Sequence, residues 1–270
     1  MFIPKRLLKG FKITILPLFL SSLSATILLL LLRESTLYDK LIDDSGAWAT
    51  FFTVYGVLYA IIVGFLMLEA LSKYNNLSEL IDEEVNDLQD IRDFTFYLQC
   101  PGHIKEKILS ELGEYAYSVA TKEWQQMKTS QSTDRDPDTT KEFYEILLAI
   151  NNMEIANKFD EIALKILLNK IAEITTDRTK RLSIAHQRLP LQMKFLLYLM
   201  SVILIVGLIL VGVHHLSIHI IMVVSLVMSV HLLNILIFDL DNPFKGLWQL
   251  TPQLFIEFQE GLHMNNKIKS

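Results

Sequence analysis

The most extensive absence in this sequence is of charge, because no Asp, Glu, Lys or Arg occurs from Phe195 to Phe238. Soluble cores seldom bury so long an uncharged run, whereas the hydrocarbon core of a bilayer, about 30 Å thick, selects for it. Hydrophobic residues make up 51% of the 270 residues. The sequence therefore predicts an integral membrane protein in contact with membrane lipid.

Several other absences narrow the function. The single cysteine, Cys100, excludes a disulfide within these residues. The net charge of −5 comes without a basic cluster, so nucleic acid is not expected as a partner. The chain has no G-x-S-x-G, P-loop, G-x-G-x-x-G or H-E-x-x-H motif. The acid-rich region 72–194 has no E-x-x-H pair of the kind that holds bridged metals. We predict no enzyme activity, no cofactor and no metal site.

Four apolar segments are long enough to span a bilayer as helices, which takes about 20 residues. They cover residues 13–32, 47–71, 195–213 and 216–238. No segment alternates convincingly with the period of a strand, so the fold class is all-α. We predict four transmembrane helices in two pairs, with a helical domain inserted between the pairs. The boundaries are 1–71 for the first pair, 72–194 for the insert, 195–240 for the second pair and 241–270 for a C-terminal segment.

Basic residues flanking the spans predict the orientation. Four of them precede the first span, and the loop 33–46 has two against four acids, which include Asp39, Asp43 and Asp44. The turn at His214-His215 has no Lys or Arg, whereas basic residues flank the opposite ends of the spans. Both termini and the insert are therefore expected in the cytoplasm.

The insert has a helical pattern. It contains 16 Lys or Arg and 21 Asp or Glu, and its apolar residues recur at spacings of three and four from Leu77 to Ile91. The acids at 79–84 are expected in the first turns of a helix that begins there. A second helix is predicted over 102–128, a loop over 128–140 that contains Pro137, and a third helical region over 141–188 with a break at Asn151-Asn152.

Two stripes mark the second span. Small residues recur at Gly56, Ala60 and Gly64, which suits close packing of helices. Three larger apolar residues, Val57, Ile61 and Phe65, recur along another face and suit lipid, a neighbouring helix or an apolar pore constriction. Periodicity does not separate these alternatives. Near the inner end, Glu69 suits either pairing with Lys73 at i+4 or a charged ring at a pore mouth.

The layout and several short motifs resemble the bestrophin channels, and more closely the bacterial bestrophin-like membrane proteins. The second span carries a Gly-Phe at Gly64-Phe65, followed at its inner end by Lys73 where bestrophins have Arg. The insert and the segments around the later spans carry the other matching residues, which are Glu123, Trp124, Arg181, Pro190, Asp241, Pro243, Phe244 and Gly246.

This resemblance implies a homo-oligomer, specifically a pentamer, in a bacterial inner membrane. The second spans would line a pore for small inorganic ions, with Val57, Ile61 and Phe65 as its neck and Glu69 and Lys73 at its inner mouth. The acids of the outer loop and the insert favour monovalent cations over anions. Of the eukaryotic calcium-binding acids only Asp239 and Asp241 remain, so calcium gating is not expected. The alternative is a non-conducting scaffold or signalling protein whose insert binds a partner.

Overall fold

The computed structural model describes residues 5–35, 38, 45–129, 136–153 and 157–268. Within these residues the chain forms nine α-helices and a π-helical turn, and no strand. In chain order they are α1 (Lys5–Arg33), α2 (Ser45–Tyr97), α3 (Gly102–Ser118), the π-helical turn (Val119–Glu123), α4 (Trp124–Thr129), α5 (Pro137–Asn151), α6 (Lys158–His186), α7 (Leu191–Leu210), α8 (Leu216–Asp241) and α9 (Gln253–Ile268).

Four of these helices are long and apolar enough to cross a membrane. They are α2, α7, α8 and the part of α1 from Ile15 to Arg33. Their sequences are dominated by Leu, Ile, Val and Phe, and a helix is one of the two structures that satisfy every backbone hydrogen bond inside hydrocarbon. The all-α prediction and the expectation of membrane-compatible helices are confirmed.

The first compact unit comprises residues 1–72, 188–242 and 246–248. Helix α1 packs against α7 and α8, and α7 packs against α8. Two polar side chains inside this unit, His219 and Asn234, bond to neighbouring segments. His219 is fully buried, with Nδ1 3.3 Å from the hydroxyl of Tyr38 and Nε2 2.9 Å from the carbonyl oxygen of Leu208. The amide of Asn234 donates to Ser201 Oγ over 3.1 Å, an interhelical bond of the kind expected for a polar residue in a span.

The second compact unit comprises residues 73–187, 243–245 and 249–270. One apolar core holds it together, and the helices from α2 to α6 and α9 all contribute to it. Members of this core include Leu88, Ile108, Tyr115, Ile150, Leu167 and Phe255. Helix α9 packs against α3, so the C-terminal segment belongs to this unit.

The structure corrects the expected start of the first insert helix. Helix α2 is continuous for 53 residues from Ser45 to Tyr97, so no helix begins near Leu77 and its first turn contains no acid. The cause is local. The sequence changes from apolar to polar residues within α2, but no Gly or Pro occurs between Phe65 and Tyr97 to end the helix there.

The predicted loop over 128–140 is also shorter than expected. Residues 130–135 lie outside the described part, but α5 already begins at Pro137. Proline suits the first helical position because it lacks an N–H that would need a partner there. The carboxylate of Asp136 accepts from the backbone N–H of Thr139 over 2.8 Å and caps the helix. The predicted helix over 102–128 and the break after Asn151 are confirmed, with a π-helical turn within the former.

Candidate functional site

One face of the apolar part of α2 is buried inside the first unit. Its buried side chains follow one another at spacings of three and four: Tyr59, Val63, Leu66 and Ala70. Most of this face belongs to an apolar cluster with residues of α7 and α8. The hydroxyl of Tyr59 lies 3.2 Å from Ser201 Oγ and that of Tyr55 donates to the carbonyl oxygen of Met200. These contacts fix the rotation of α2 about its own axis within the unit.

The three residues expected to form a neck lie on a different face of α2. Val57 is 56% exposed, Ile61 is 50% exposed and Phe65 is 69% exposed. Successive members of this set are four residues apart, which is slightly more than one helical turn and about 6 Å along the axis. The three side chains therefore lie nearly in line. In a single chain, therefore, one face of α2 is packed against its own unit, whereas the apolar stripe of Val57, Ile61 and Phe65 remains exposed.

The small residues lie beside this stripe, and they are also open. A Cβ added at Gly56 or at Gly64 would meet no atom within 4 Å, and Ala60 is exposed. No helix among the described residues occupies the space over these two glycines. The face is shaped for close approach of another helix.

The two residues expected at an inner pore mouth are placed differently. Glu69 is exposed on α2, one turn beyond Phe65. Lys73 is half-buried, and its ammonium donates to the carbonyl oxygen of Gln187. Both residues belong to the second unit. Lys73 therefore fastens the chain segment that follows α6 to α2.

The charged motif residues of the insert meet in the interior of the second unit. Arg181 donates from Nε to Glu84 over 2.7 Å and from Nη2 to Glu123 over 3.4 Å. Arg178 pairs with the same Glu123 over 3.2 Å. All four side chains are at most 2% exposed, and the hydroxyl of Tyr115 adds a bond to Glu84. Two cations and two anions balance, so the cluster is neutral as a whole.

Electrostatics keep Arg181 in its charged form. Burial lowers the pKa of Arg181, but the neighbouring Glu84 and Glu123 more than offset this effect and leave its pKa raised. Burial and then the charge of Glu84 raise the pKa of the Tyr115 hydroxyl well above its ordinary value. Arg181 and Tyr115 therefore keep their protons near neutral pH. The arrangement has the chemistry of a structural clamp rather than of an acid or base.

Aromatic motif residues lie next to the clamp. The rings of Trp124 and Phe244 meet edge to face with centroids 5.3 Å apart, and Phe255 approaches Trp124 to 6.4 Å. Arg181 also lies over the ring of Phe255, 5.7 Å from its centroid. Residues from the insert and from beyond the last span thus pack together, although 120 positions of sequence separate Trp124 and Phe244.

Comparison with known proteins decides the family. The Bestrophin-like domain model matches residues 19–255, which is most of the chain. The chain belongs to the bestrophin-like family. No curated protein matches it significantly.

Solved structures agree on the bestrophin fold. A crystal structure of a bacterial bestrophin homologue from Klebsiella pneumoniae, in a point-variant form, has a TM-score of 0.74 at 14% identity and covers 93% of this chain and 99% of its own. A second variant of the homologue gives a TM-score of 0.74 at 15% identity, covering 93% and 98%. A third gives 0.72 at 16% identity, again covering 93% and 98%. At this identity the likeness establishes the fold.

The bestrophin-like motif after the last span is built around two aspartates. Asp241 is buried and accepts from the backbone N–H of Leu189 over 2.7 Å and from Lys194 over 2.7 Å. Pro190 follows directly as the N-cap residue of α7. The motif residues Pro190 and Asp241 therefore act together, because the carboxylate of Asp241 holds the chain where α7 begins.

The second aspartate, Asp239, holds the turn that contains the motif glycine. Its carboxylate accepts from the backbone N–H of Leu247 over 3.0 Å and of Trp248 over 2.9 Å. Gly246 has a φ of 94°, a conformation that disfavours side chains, and a Cβ there would collide with the Asp239 carboxylate. The two acids thus have structural partners, and no group of three metal-ligating residues occurs in the described part of the chain.

Sequence reasoning missed three contributors to these sites. Glu84 was expected in the first turns of a helix, but it lies within α2 and is fully buried opposite Arg181. Ser201 was not singled out, although it bonds to α2 and α8. Helix α9 was not predicted, and the spacing of Phe255, Phe258 and Leu262 is the signal that could have found it. The acids Asp39, Asp43 and Asp44 of the expected outer loop lie outside the described residues.

Proposed function

We propose that this protein is an ion channel formed by a ring of identical chains, in which α2 of each chain lines a central pore. One observation carries the proposal. On a helix whose other face is packed inside its own unit, Val57, Ile61 and Phe65 are 50–69% exposed and lie in line. Four helices of one chain cannot enclose an aqueous path, so a pore along this stripe requires several copies. The bestrophin-like family supports five.

The small-residue face supports a ring. Gly56, Ala60 and Gly64 each precede a stripe residue by one position, which places them about 100° round the helix. In a ring, a helix that turns one face to the axis turns its flank to the next copy. An open flank of glycine and alanine lets the backbones of two α2 helices approach closely. Because the next copy is absent from a single chain, we expect empty space over this face, and Gly56 and Gly64 have it.

The mechanism follows from the chemistry of the stripe. Rings of Val57, Ile61 and Phe65 carry no group that replaces the hydration shell of an ion, so a narrow neck of this kind controls conduction by wetting and dewetting. Phe65 is the largest and most exposed of the three. Glu69, one turn beyond it, adds a ring of carboxylates at the inner mouth, and Lys73 lies beyond that.

The pore favours small monovalent cations over anions. Residues 72–194 carry 21 acidic against 16 basic residues, and the proposed outer loop is also acidic. An acid-lined path raises the local concentration of cations. Arg178 and Arg181 do not weaken this effect, since the buried Glu84 and Glu123 neutralise them.

The spans and the insert have a definite arrangement in this proposal. Two pairs of spans flank the insert. The bacterial inner membrane holds the two spans of residues 1–71, which follow an N-terminal tail, and the two spans of residues 195–240. The insert 72–194, the segment 241–270 and both termini are cytoplasmic. The basic residues that flank the spans support this orientation.

Ion flux into liposomes tests the neck directly. The variant Val57→Ala, Ile61→Ala, Phe65→Ala widens the constriction and makes it easier to wet, so we expect a rise in cation flux of about tenfold or more. Its matched control is Leu199→Ala, Val202→Ala, Val206→Ala, which truncates three exposed apolar residues of α7. The control should leave flux unchanged. Equal flux in the triple α2 variant and the wild type would contradict the neck.

A planar bilayer experiment separates the channel from its main rival. A non-conducting scaffold, with the insert as a docking domain, gives no single-channel events from either the wild type or the triple α2 variant. A channel gives discrete single-channel currents. In a salt gradient, their reversal potential shifts toward the equilibrium potential of the cation. A shift toward the anion would contradict the selectivity while leaving the pore in place.

A further inference from the structure

Tyr59 lies on the side of α2 that is opposite the apolar stripe. It is two residues from Val57 and two from Ile61, and two residues turn a helix by about 200°. Tyr59 is 6% exposed and faces its own unit, whereas Val57 and Ile61 face away from that unit. A rotation of α2 at Tyr59 therefore turns the stripe by the same angle.

Most contacts of the buried face of α2 are apolar and do not define one rotation of the helix. Tyr59, Val63 and Leu66 belong to an apolar cluster with residues of α7 and α8. Apolar contact is non-directional, and in a bilayer the lipid tails offer much the same surroundings as leucine. A hydrogen bond, in contrast, has a preferred distance and angle. The hydrogen bonds of this face therefore define the rotation of α2 more narrowly than its apolar contacts do.

Ser201 of α7 is the centre of these hydrogen bonds, and it is 3% exposed. Its hydroxyl donates to the carbonyl oxygen of Leu197 over 2.8 Å, so its only hydrogen is used within α7. Groups that reach Ser201 Oγ from other helices must therefore donate to it. They are the hydroxyl of Tyr59 from α2, over 3.2 Å, and the amide of Asn234 from α8, over 3.1 Å. One hydroxyl thus joins three helices, and both of its acceptor positions are occupied.

The amide oxygen of Asn234 is a second acceptor close to this centre. Asn234 is 9% exposed, and its Oδ1 has no hydrogen-bond partner among the described residues. Tyr59 and Asn234 both bond to Ser201 Oγ, so this oxygen lies close to the Tyr59 hydroxyl. A buried hydroxyl without an acceptor is costly. If Ser201 could not accept, the Tyr59 hydroxyl would therefore turn to Asn234 and carry α2 with it.

We propose that Ser201 is the positioning residue of the neck. By accepting from Tyr59 it selects the rotation of α2 that turns the stripe to the pore axis, and it keeps Tyr59 from the alternative acceptor on Asn234. The consequence for conduction rests on the proposed function, whereas the choice between the two acceptors does not. The two parts are therefore tested by separate measurements.

Spin labels measure the rotation of α2 in the intact protein in liposomes. Cys100 is buried, so it stays unlabelled. Cysteines for labelling are introduced one at a time at exposed positions of α2, which are Val54, Val57, Leu58, Ile61, Phe65 and Leu68. The accessibility of the labels to oxygen follows the helical period along α2, and the phase of that period gives the rotation.

The variant Ser201→Ala removes the present acceptor of Tyr59. It should shift the phase by roughly 30°, about a third of the angle between successive residues of a helix. The control Tyr198→Phe removes a tyrosine hydroxyl from an exposed position of α7 and should keep the wild-type phase. An unchanged phase in Ser201→Ala would overturn the proposal.

The double variant Tyr59→Phe, Ser201→Ala separates the choice of acceptor from packing at position 201. It keeps the truncation of Ser201 but has no tyrosine hydroxyl to turn to Asn234. The phase should therefore return to the wild-type value, held there by the apolar contacts. A shift that persists in the double variant would show that packing moves α2, and it would overturn the proposal.

Cation flux into the same liposomes measures the consequence for the neck. Ser201→Ala turns the stripe partly off the axis, so flux should rise about threefold, and the double variant should return it to the wild-type level. Unchanged flux beside a measured phase shift would overturn the role of Ser201 in the neck. Absence of flux from every variant, the triple α2 variant included, would contradict the proposed function instead, and the phase shift would still report the choice of acceptor.

Discussion

Arg181 donates to Glu84 over 2.7 Å, and neither side chain is reached by solvent. Their positions in the sequence are 97 residues apart, so this pair joins the second half of α2 to α6. A buried ion pair is costly to break because the partner left behind remains charged and poorly solvated. The pair therefore makes the second unit sensitive to any change that removes one charge alone.

The first prediction concerns this pair. Arg181→Met leaves Glu84 buried without its cation and should lower the free energy of unfolding by about 3–5 kcal/mol. Thermal unfolding of the purified protein, followed by circular dichroism, measures the loss. The double variant Glu84→Gln, Arg181→Met removes both charges and should recover a large part of it. A double variant less stable than Arg181→Met would contradict the clamp.

The second prediction concerns the open small-residue face. Gly64→Leu adds a side chain where a Cβ meets no atom within 4 Å of the same chain, so the isolated chain should still fold. In the proposed ring the same side chain would strike the neighbouring α2 helix. Mass photometry should therefore find a loss of oligomer of about tenfold, which corresponds to about 1.4 kcal/mol at the interface.

A matched control places the same bulk elsewhere. Ser225→Leu lies on an exposed face of α8 and should leave the oligomer intact. Equal oligomer content in Gly64→Leu and Ser225→Leu would show that the small-residue face does not meet another copy.

The third prediction concerns the turn after the last span. Gly246→Ala forces a side chain into a φ of 94° and against Asp239, and should cost about 1–3 kcal/mol of stability. Gly261→Ala is the control, since a Cβ there meets no atom within 4 Å and alanine favours a helix by about 0.5–1 kcal/mol. Opposite shifts in the melting temperature are expected. A stable Gly246→Ala protein would mean that the turn tolerates another conformation.

The fourth prediction is a pH dependence in the insert. Burial, followed by the nearby charges of Glu145 and Glu142, raises the pKa of Glu111. A carboxyl whose pKa is higher in the folded state stabilises the fold below its unfolded pKa and loses that contribution as the pH rises through the folded pKa. Glu111→Gln should therefore raise the melting temperature at pH 7.5, by about 1–2 °C.

The same gain should vanish at pH 4, where Glu111 of the wild type is itself protonated. Glu106→Gln serves as the control because Glu106 is exposed on the same helix and is not among the charges that raise the pKa of Glu111. A Glu111→Gln gain that is equal at both pH values would contradict a raised pKa of Glu111 as its cause.

Sequence patterns correctly predicted the structural features that are determined by residues close together in the sequence. The uncharged run from Phe195 to Phe238 predicted α7 and α8, and the Asn151-Asn152 pair predicted the end of α5. Both follow from composition and from residues that end a helix. The stripe of Val57, Ile61 and Phe65 was likewise visible as a period of four.

Sequence patterns failed in two situations. In one, the residue that determines the structure is distant in sequence; in the other, the same pattern is typical of two different structures. Nothing within the sequence near Glu84 reveals that Arg181 will neutralise it, so the burial of Glu84 was not predicted. The continuity of α2 was missed because an apolar and a polar segment of one helix look like two separate elements. The start of α5 was missed because proline is typical of loops and also of the first turn of a helix.

Electron microscopy of the protein in lipid nanodiscs tests the central claim most directly. The account predicts a ring of five copies, with α2 of each copy around the axis and Val57, Ile61 and Phe65 facing one another across it. A single chain without symmetry, or a ring in which this stripe is turned outward to the lipid, would contradict the account.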